Sequence, residues 1–204
     1  MINPLARETW LQRGSKDTRM YDPYPRLLLM VLTLGVALGC ASGQPSQAWR
    51  EPDGRIIVKG PMLGPAQDLE TLAPQLCERV RDMPGAQSGH QRGGQEYCGA
   101  IYQRPGSTQF FASYPSSFGP ALDFPGGRKA CFPPAAVHDP EVPGGTIYAD
   151  YHSHPSASRF SPEDLQARRQ RFYFRVMFNS RCEVYLYDFQ EREVSQLQGV
   201  GLSS

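Results

Sequence analysis

The sequence predicts a single α/β or α+β domain built on a mixed sheet, and three observations lead there. The 204 residues are 40% hydrophobic and 11% aromatic, enough for one core and too few for two of ordinary size. Apolar residues recur at helical spacing in one early segment and then alternate in aromatic and β-branched runs. Strand-like and helix-like segments follow one another without an internal repeat.

From about residue 65 to 83, Leu69, Leu72, Leu76, Val80 and Met83 return every three or four positions, which predicts an amphipathic helix. EYCGAIYQ (96–103) and TQFFASYP (108–115), joined by the turn former RPGS, predict a β-hairpin whose aromatics Tyr102, Phe110 and Phe111 belong to the core. Residues 116–144 are rich in proline and glycine and read as a long surface excursion that Cys131 pins. GTIYADYHSH (145–154) predicts a strand with Tyr148 directed to the core, and SPEDLQARRQRF (161–172) a helix. The closing YFRVMFNSRCEVYLYDFQEREVSQLQ predicts two or three strands, with turns near Asn179-Ser180 and Gln190-Glu191.

At the N-terminus, Arg26 precedes an uncharged apolar run, LLLMVLTLGVALG (27–39), that ends at Cys40. Its 13 residues fall short of the ~20 that span a bilayer but suit the apolar region of a secretory signal. VALGC resembles the lipobox of bacterial lipoproteins, although Ala37 stands where that box usually has Leu. The resemblance implies a signal peptide over 1–40, lipidation of Cys40 and, with Ala41 rather than Asp following, an outer-membrane anchor facing the periplasm. The charged stretch before Arg26 is long for a signal, which makes Met20 an alternative start. Residues 41–63, polar and rich in Gly and Pro, read as a flexible tether to a domain over 64–204, with RIIV as a short strand.

Net charge is +1 for the whole chain, and residues 1–40 hold five of its 21 basic and three of its 20 acidic residues, so the remainder is close to neutral. With no block of like charge, nothing points to a nucleic-acid partner. Beyond Cys40, four cysteines remain, Cys77, Cys98, Cys131 and Cys182, an even number that suits two disulfides in an oxidising compartment, with three connectivities open. Free buried thiols are the alternative, while a cysteine-rich zinc site lacks any CxxC pair.

The chemistry concentrates in YHSHPSASRFSPEDL (151–165). Side chains alternate along a strand, so His152 and His154 share a face and can share one ion. Two neutral imidazoles and one carboxylate suit Zn2+ with an open fourth position, and Asp164 supplies the carboxylate if the following turn aims it back. SPED is also what a helix start needs by itself, with Ser161 as N-cap, Pro162 at the first position and acids in the first turn. The cupin arrangement requires a glutamate where Ser158 or Arg159 stands, which removes it. His90 and His138 sit in loop-like segments and read as solvated, as does the Arg168, Arg169 and Arg171 face.

Taken together, HSHP, a short loop and SPED resemble the JAMM (MPN+) metallopeptidase signature. That likeness implies a cytidine-deaminase-like mixed sheet flanked by helices, zinc held by His152, His154 and Asp164, and Ser161 stabilising the oxyanion. Glu96, opening EYCGAIY, best matches the general base, ahead of the other acids Glu70, Glu78 and Glu141. The loop between His154 and Ser161 has six residues, one fewer than the common form. A closer resemblance, over residues 65–198, is to a bacterial JAMM-like domain of unknown function that also occurs at the ends of Rhs-type polymorphic toxins. The likeness implies an envelope peptidase or isopeptidase acting on a peptidoglycan peptide or a protein tail. An inactive binding or accessory lipoprotein and a toxin-associated effector domain are the alternatives.

Overall fold

A computed structural model describes residues 47–89, 93–119, 130–166 and 172–197. The architecture is α+β, with ten strands in two sheets and one helix among the described residues. A small sheet joins β1 (Ala48–Arg50), β2 (Ile56–Lys59) and β6 (Ala136–His138). A seven-stranded sheet runs in the order β10, β9, β8, β7, β4, β5, β3. Its strands are β3 (Leu63–Ala66), β4 (Cys98–Gln103), β5 (Phe110–Ala112), β7 (Thr146–Ser153), β8 (Phe174–Phe178), β9 (Val184–Asp188) and β10 (Glu193–Leu197).

Helix α1 (Leu69–Arg81) follows the expected spacing, burying Leu69, Leu72, Leu76 and Val80. Asp68 caps it by accepting from the Thr71 amide, and Arg79 and Arg81 in the last turn complement the helix dipole. These apolar residues cover one face of the large sheet, where Ile101, Ala149, Tyr151, Val176 and Phe178 complete the core. Tyr102 and Phe111 are buried and Phe110 and Tyr148 pack against the core, as the sequence predicts.

The expected hairpin is β4 and β5, paired antiparallel, and the C-terminal strands are β8, β9 and β10 with turns at the two expected places. Three expectations need correction. Residues from Ala48 onward, assigned to a tether, contribute β1 and β2 to a folded layer whose core is Ala48, Ile56 and Val58 with Val137 packed against it; residues 41–46 lie outside the described residues. The supposed excursion contributes β6, which pairs parallel with β2 at Ile57, Val58 and Lys59. Short strands of three residues carry too little periodicity to be read locally. Residues 161–166 form turns closed by Asp164 N→Ser161 O (3.1 Å) and Gln166 N→Glu163 O (3.2 Å) rather than an α-helix; 167–171, with Arg168, Arg169 and Arg171, lie outside the described residues.

The four cysteines resolve to Cys77–Cys182 and Cys98–Cys131. The first joins α1 to the turn between β8 and β9, and the second ties the Pro-rich segment to the start of β4. The two sheets are latched by Asp139, which accepts from Tyr102 Oη (2.7 Å) and Arg104 Nε (2.8 Å). Burial would raise the Asp139 carboxyl, but those donors hold it below its ordinary value.

One glycine is demanded by packing. A Cβ on Gly99 would lie 2.2 Å from the Tyr151 ring, which crosses β4 to donate from its hydroxyl to Ser113 O (2.9 Å). EYCGAIY and YHSHP are therefore locked together on adjacent strands, in the register Cys98↔His152 and Gly99↔Tyr151.

Candidate metal centre

β7 and β8 are parallel neighbours, so the chain must cross over between the end of one and the start of the other. That crossover carries Ser161 and Asp164, while the histidines stand at the carboxyl end of β7. The His154 amide extends the ladder by donating to Phe178 O (2.9 Å). On β7, Ala149 and Tyr151 face the core under α1, and Asp150 and His152 face the other side, so the site and the helix lie on opposite faces of the sheet.

Three donors meet there. His152 Nε2 and His154 Nε2 are 3.2 Å apart, Asp164 Oδ1 lies 3.4 Å from the first and Asp164 Oδ2 3.3 Å from the second. Donors about 2.0–2.1 Å from a tetrahedral zinc ion are separated by about 3.3 Å, which the imidazole edge matches, while each imidazole meets a different Asp164 oxygen and one ligand atom from each residue lies within 4.8 Å of the others. His152 is 6% and His154 2% exposed, and the Asp164 side chain 16%. Among the described residues, this is the one group of His, Cys, Asp or Glu whose ligand atoms converge in this way. The six-residue loop between His154 and Ser161 thus delivers Asp164 to both imidazoles.

Electrostatics favour the forms a cation needs. Burial pushes His154 down, against an opposing pull from Asp164, and keeps its ring neutral. Burial would raise Asp164, but bonds from His152, His154 and Ser161 hold it well below the carboxylate range. Two imidazoles and a carboxylate are a donor set that could hold a divalent cation.

The surroundings orient these ligands. Ser158 Oγ lies 3.0 Å from His154 Nδ1 and Ser156 Oγ 2.9 Å from Ser158 Oγ. A hydrogen bond from Nδ1 to Ser158 would leave Nε2 its lone pair for a cation, whereas without a cation Nε2 faces Asp164 as a donor. The Phe160 ring lies 5.8 Å from the His152 ring and 6.2 Å from that of Tyr187, seating the crossover on the sheet. Ser161 donates from its amide and its hydroxyl to Asp164 Oδ2, each at 2.7 Å, and accepts from the Asp164 amide at 3.3 Å. The capping pattern expected of SPED is present and also fixes the third donor's carboxylate.

A cavity of about 370 Å3 opens beside the triad, lined by Glu96, His152, Ser161, Asp164 and the Cys98–Cys131 bridge among others. Glu96 is 4% exposed, and its charge favours the protonated form of His154. Its backbone is held from both sides: the Gln95 amide donates to Gly85 O, and Tyr97 exchanges bonds with Ser153. The remaining candidates stand apart. Glu70 and Glu78 lie on α1, Glu141 pairs with Arg104, and His138 stacks edge-on against Trp49 in the small sheet. Cys40 and His90 lie outside the described residues.

Sequence reasoning missed Asp150 and Arg175, which line the same cavity. The signal was present, since each is the single Asp, Glu, Lys or Arg of its otherwise uncharged strand. Ser158 and Phe160 gave no comparable signal. No family model, curated protein or solved structure matches the chain.

Proposed function

We propose that the chain is a zinc-dependent amide hydrolase, a peptidase or isopeptidase, anchored by lipid in the bacterial envelope. The observation that supports this reading most is the triangle of His152, His154 and Asp164, with edges of 3.2–3.4 Å, at the wall of a cavity that Glu96 and Ser161 also line. A structural metal site would be closed by a fourth protein ligand, whereas this triad opens on space for substrate.

Bound there, zinc would supply a Lewis acid for the scissile carbonyl and water acidified towards a pKa of about 7. Glu96, as carboxylate, takes a proton from the attacking water and returns it to the leaving amine. Ser161, whose amide bond to Asp164 sets its backbone, would serve the reacting carbonyl by turning toward it the one O–H that here donates to Asp164 Oδ2. Ser158 and Phe160 keep the imidazoles aimed. The substrate is an amide within a peptide, such as a peptidoglycan cross-link or a protein tail.

The test is release of a new amine from peptide and isopeptide substrates by the zinc-supplemented chain. Chelation should abolish release and added zinc should restore it; release that survives complete chelation would refute the reading. The anchor rests on the lipobox resemblance at Cys40, and among the described residues no helix is long and apolar enough to cross a membrane. A fatty-acid analogue should label the chain in bacterial cells and fail to label Cys40→Ser; equal labelling of both would exclude lipidation at that cysteine.

A further inference from the structure

We propose that Asp150 and Arg175 form a buried clamp that positions Asp164 for the metal. The inference rests on the triad as a cation site and extends it to two residues outside the three donors.

The two histidines need little help, because β7 holds them in the middle of a seven-stranded sheet. Asp164 is different. It comes from the crossover, in a segment whose described part is turns and not α-helix, ten residues beyond His154. A donor on such a segment reaches the right point only if something ties its backbone to the strands carrying the other donors.

Arg175 provides that tie. It stands on β8 directly opposite Asp150 on β7, and its side chain lies in the sheet face that carries His152. Nε reaches Asp150 Oδ1 and Oδ2 at 3.2 and 3.0 Å, and Nη2 reaches Oδ2 at 2.7 Å. With the guanidinium plane so fixed, Nη1 donates to the Asp164 main-chain oxygen at 2.5 Å. The Phe189 ring lies 5.5 Å from the same guanidinium, and the Asp150 and Arg175 side chains are 2% and 10% exposed. The planar fork matters: one group holds a carboxylate with two nitrogens and a carbonyl with the third, which an ammonium point charge cannot reproduce. Ser161 orients the Asp164 carboxylate, and Arg175 sets the position of the residue bearing it.

The test uses the full chain and two metal probes, zinc for affinity by competition with a chelator and Co2+ for the visible spectrum that reports ligand geometry. Arg175→Lys keeps the charge opposite Asp150 but loses the reach to Asp164. The paired variant Asp150→Asn with Arg175→Gln removes both buried charges together, so neither is stranded. Each should bind zinc 10–100-fold more weakly, the range for residues that orient metal ligands, and should shift the Co2+ spectrum. Arg104→Lys serves as the control, because it disturbs another Arg–Asp pair, the partly buried one at Asp139, whose residues do not line the cavity. It should leave zinc affinity unchanged, whatever it does to the melting temperature. Should Arg175→Lys fail to fold, the paired variant decides. Zinc affinity within twofold of wild type in a folded clamp variant overturns the positioning role while leaving the triad intact, as does equal weakening by Arg104→Lys. Unfolding of both clamp variants makes the pair merely structural and overturns it too. Absence of zinc binding by the wild-type chain defeats the triad reading itself.

Discussion

Replacing Cys77 and Cys182 together by alanine should lower the unfolding free energy by about 5 kcal/mol, the largest stability effect expected of any pair of substitutions here. The bridge spans 105 residues of sequence, and its loss frees the unfolded chain of a correspondingly large loop constraint. The shorter bridge, Cys98–Cys131, spans 33 and should be worth about 4 kcal/mol on the same argument. Cys77–Cys182 also ends where the loop after His154 is supported: Ser180, in the same turn as Cys182, donates its amide to Ser156 O, and Cys77 Sγ lies 3.8 Å from Asn179 O. Denaturant titration of the oxidised wild type against the double variant measures this. A loss below about 1 kcal/mol would mean that the bridge contributes little beyond the packing of α1.

Glu96→Gln should reduce kcat for amide hydrolysis by about 10^2–10^4-fold, the usual contribution of a general acid–base, while zinc content stays at the wild-type level. The substitution keeps the shape of a side chain that is 4% exposed and removes its charge and with it its ability to accept a proton. Glutamate is not among the three donors that converge, so the metal has no reason to leave. Parallel assays of turnover and metal content separate the roles. A variant with wild-type kcat removes Glu96 from the chemistry, and one that loses its zinc makes Glu96 a ligand.

Much of the site was legible because it depends on local rules. Strand alternation alone places His152 and His154 on one face, and the capping preference of SPED brings Ser161 and Asp164 together in a turn of four residues. That this turn would fold back onto the histidines was not legible, because it depends on the parallel pairing of β7 with β8 and on the crossover that pairing requires. For the same reason Arg175 went unnoticed, since its partners Asp150 and Asp164 are 25 and 11 residues away. The helix expected over 161–172 is where local propensity misled: a good N-cap and acidic first turn describe the start of a helix, yet Asp164 is also drawn to His152, His154 and Arg175. Tertiary bonds to one residue here outweigh a propensity of a few tenths of a kcal/mol per position.

In the fold, the long elements were readable and the short ones were not. α1 and β7, with 13 and eight residues, carry enough periodicity to be recognised alone. β1 and β6, with three residues each, exist because β2 lies between them. The disulfide connectivity likewise follows from which strands are adjacent, a fact that four cysteines in a line do not contain.

The central claim is that His152, His154 and Asp164 hold one divalent cation, and zinc titration of the metal-stripped full chain tests it most directly. The wild type should take up one equivalent, and His152→Ala and Asp164→Ala should each bind more weakly by well over 100-fold, beyond the range of residues that only orient ligands. Zinc uptake by both variants equal to that of the wild type, or none by the wild type, would contradict it.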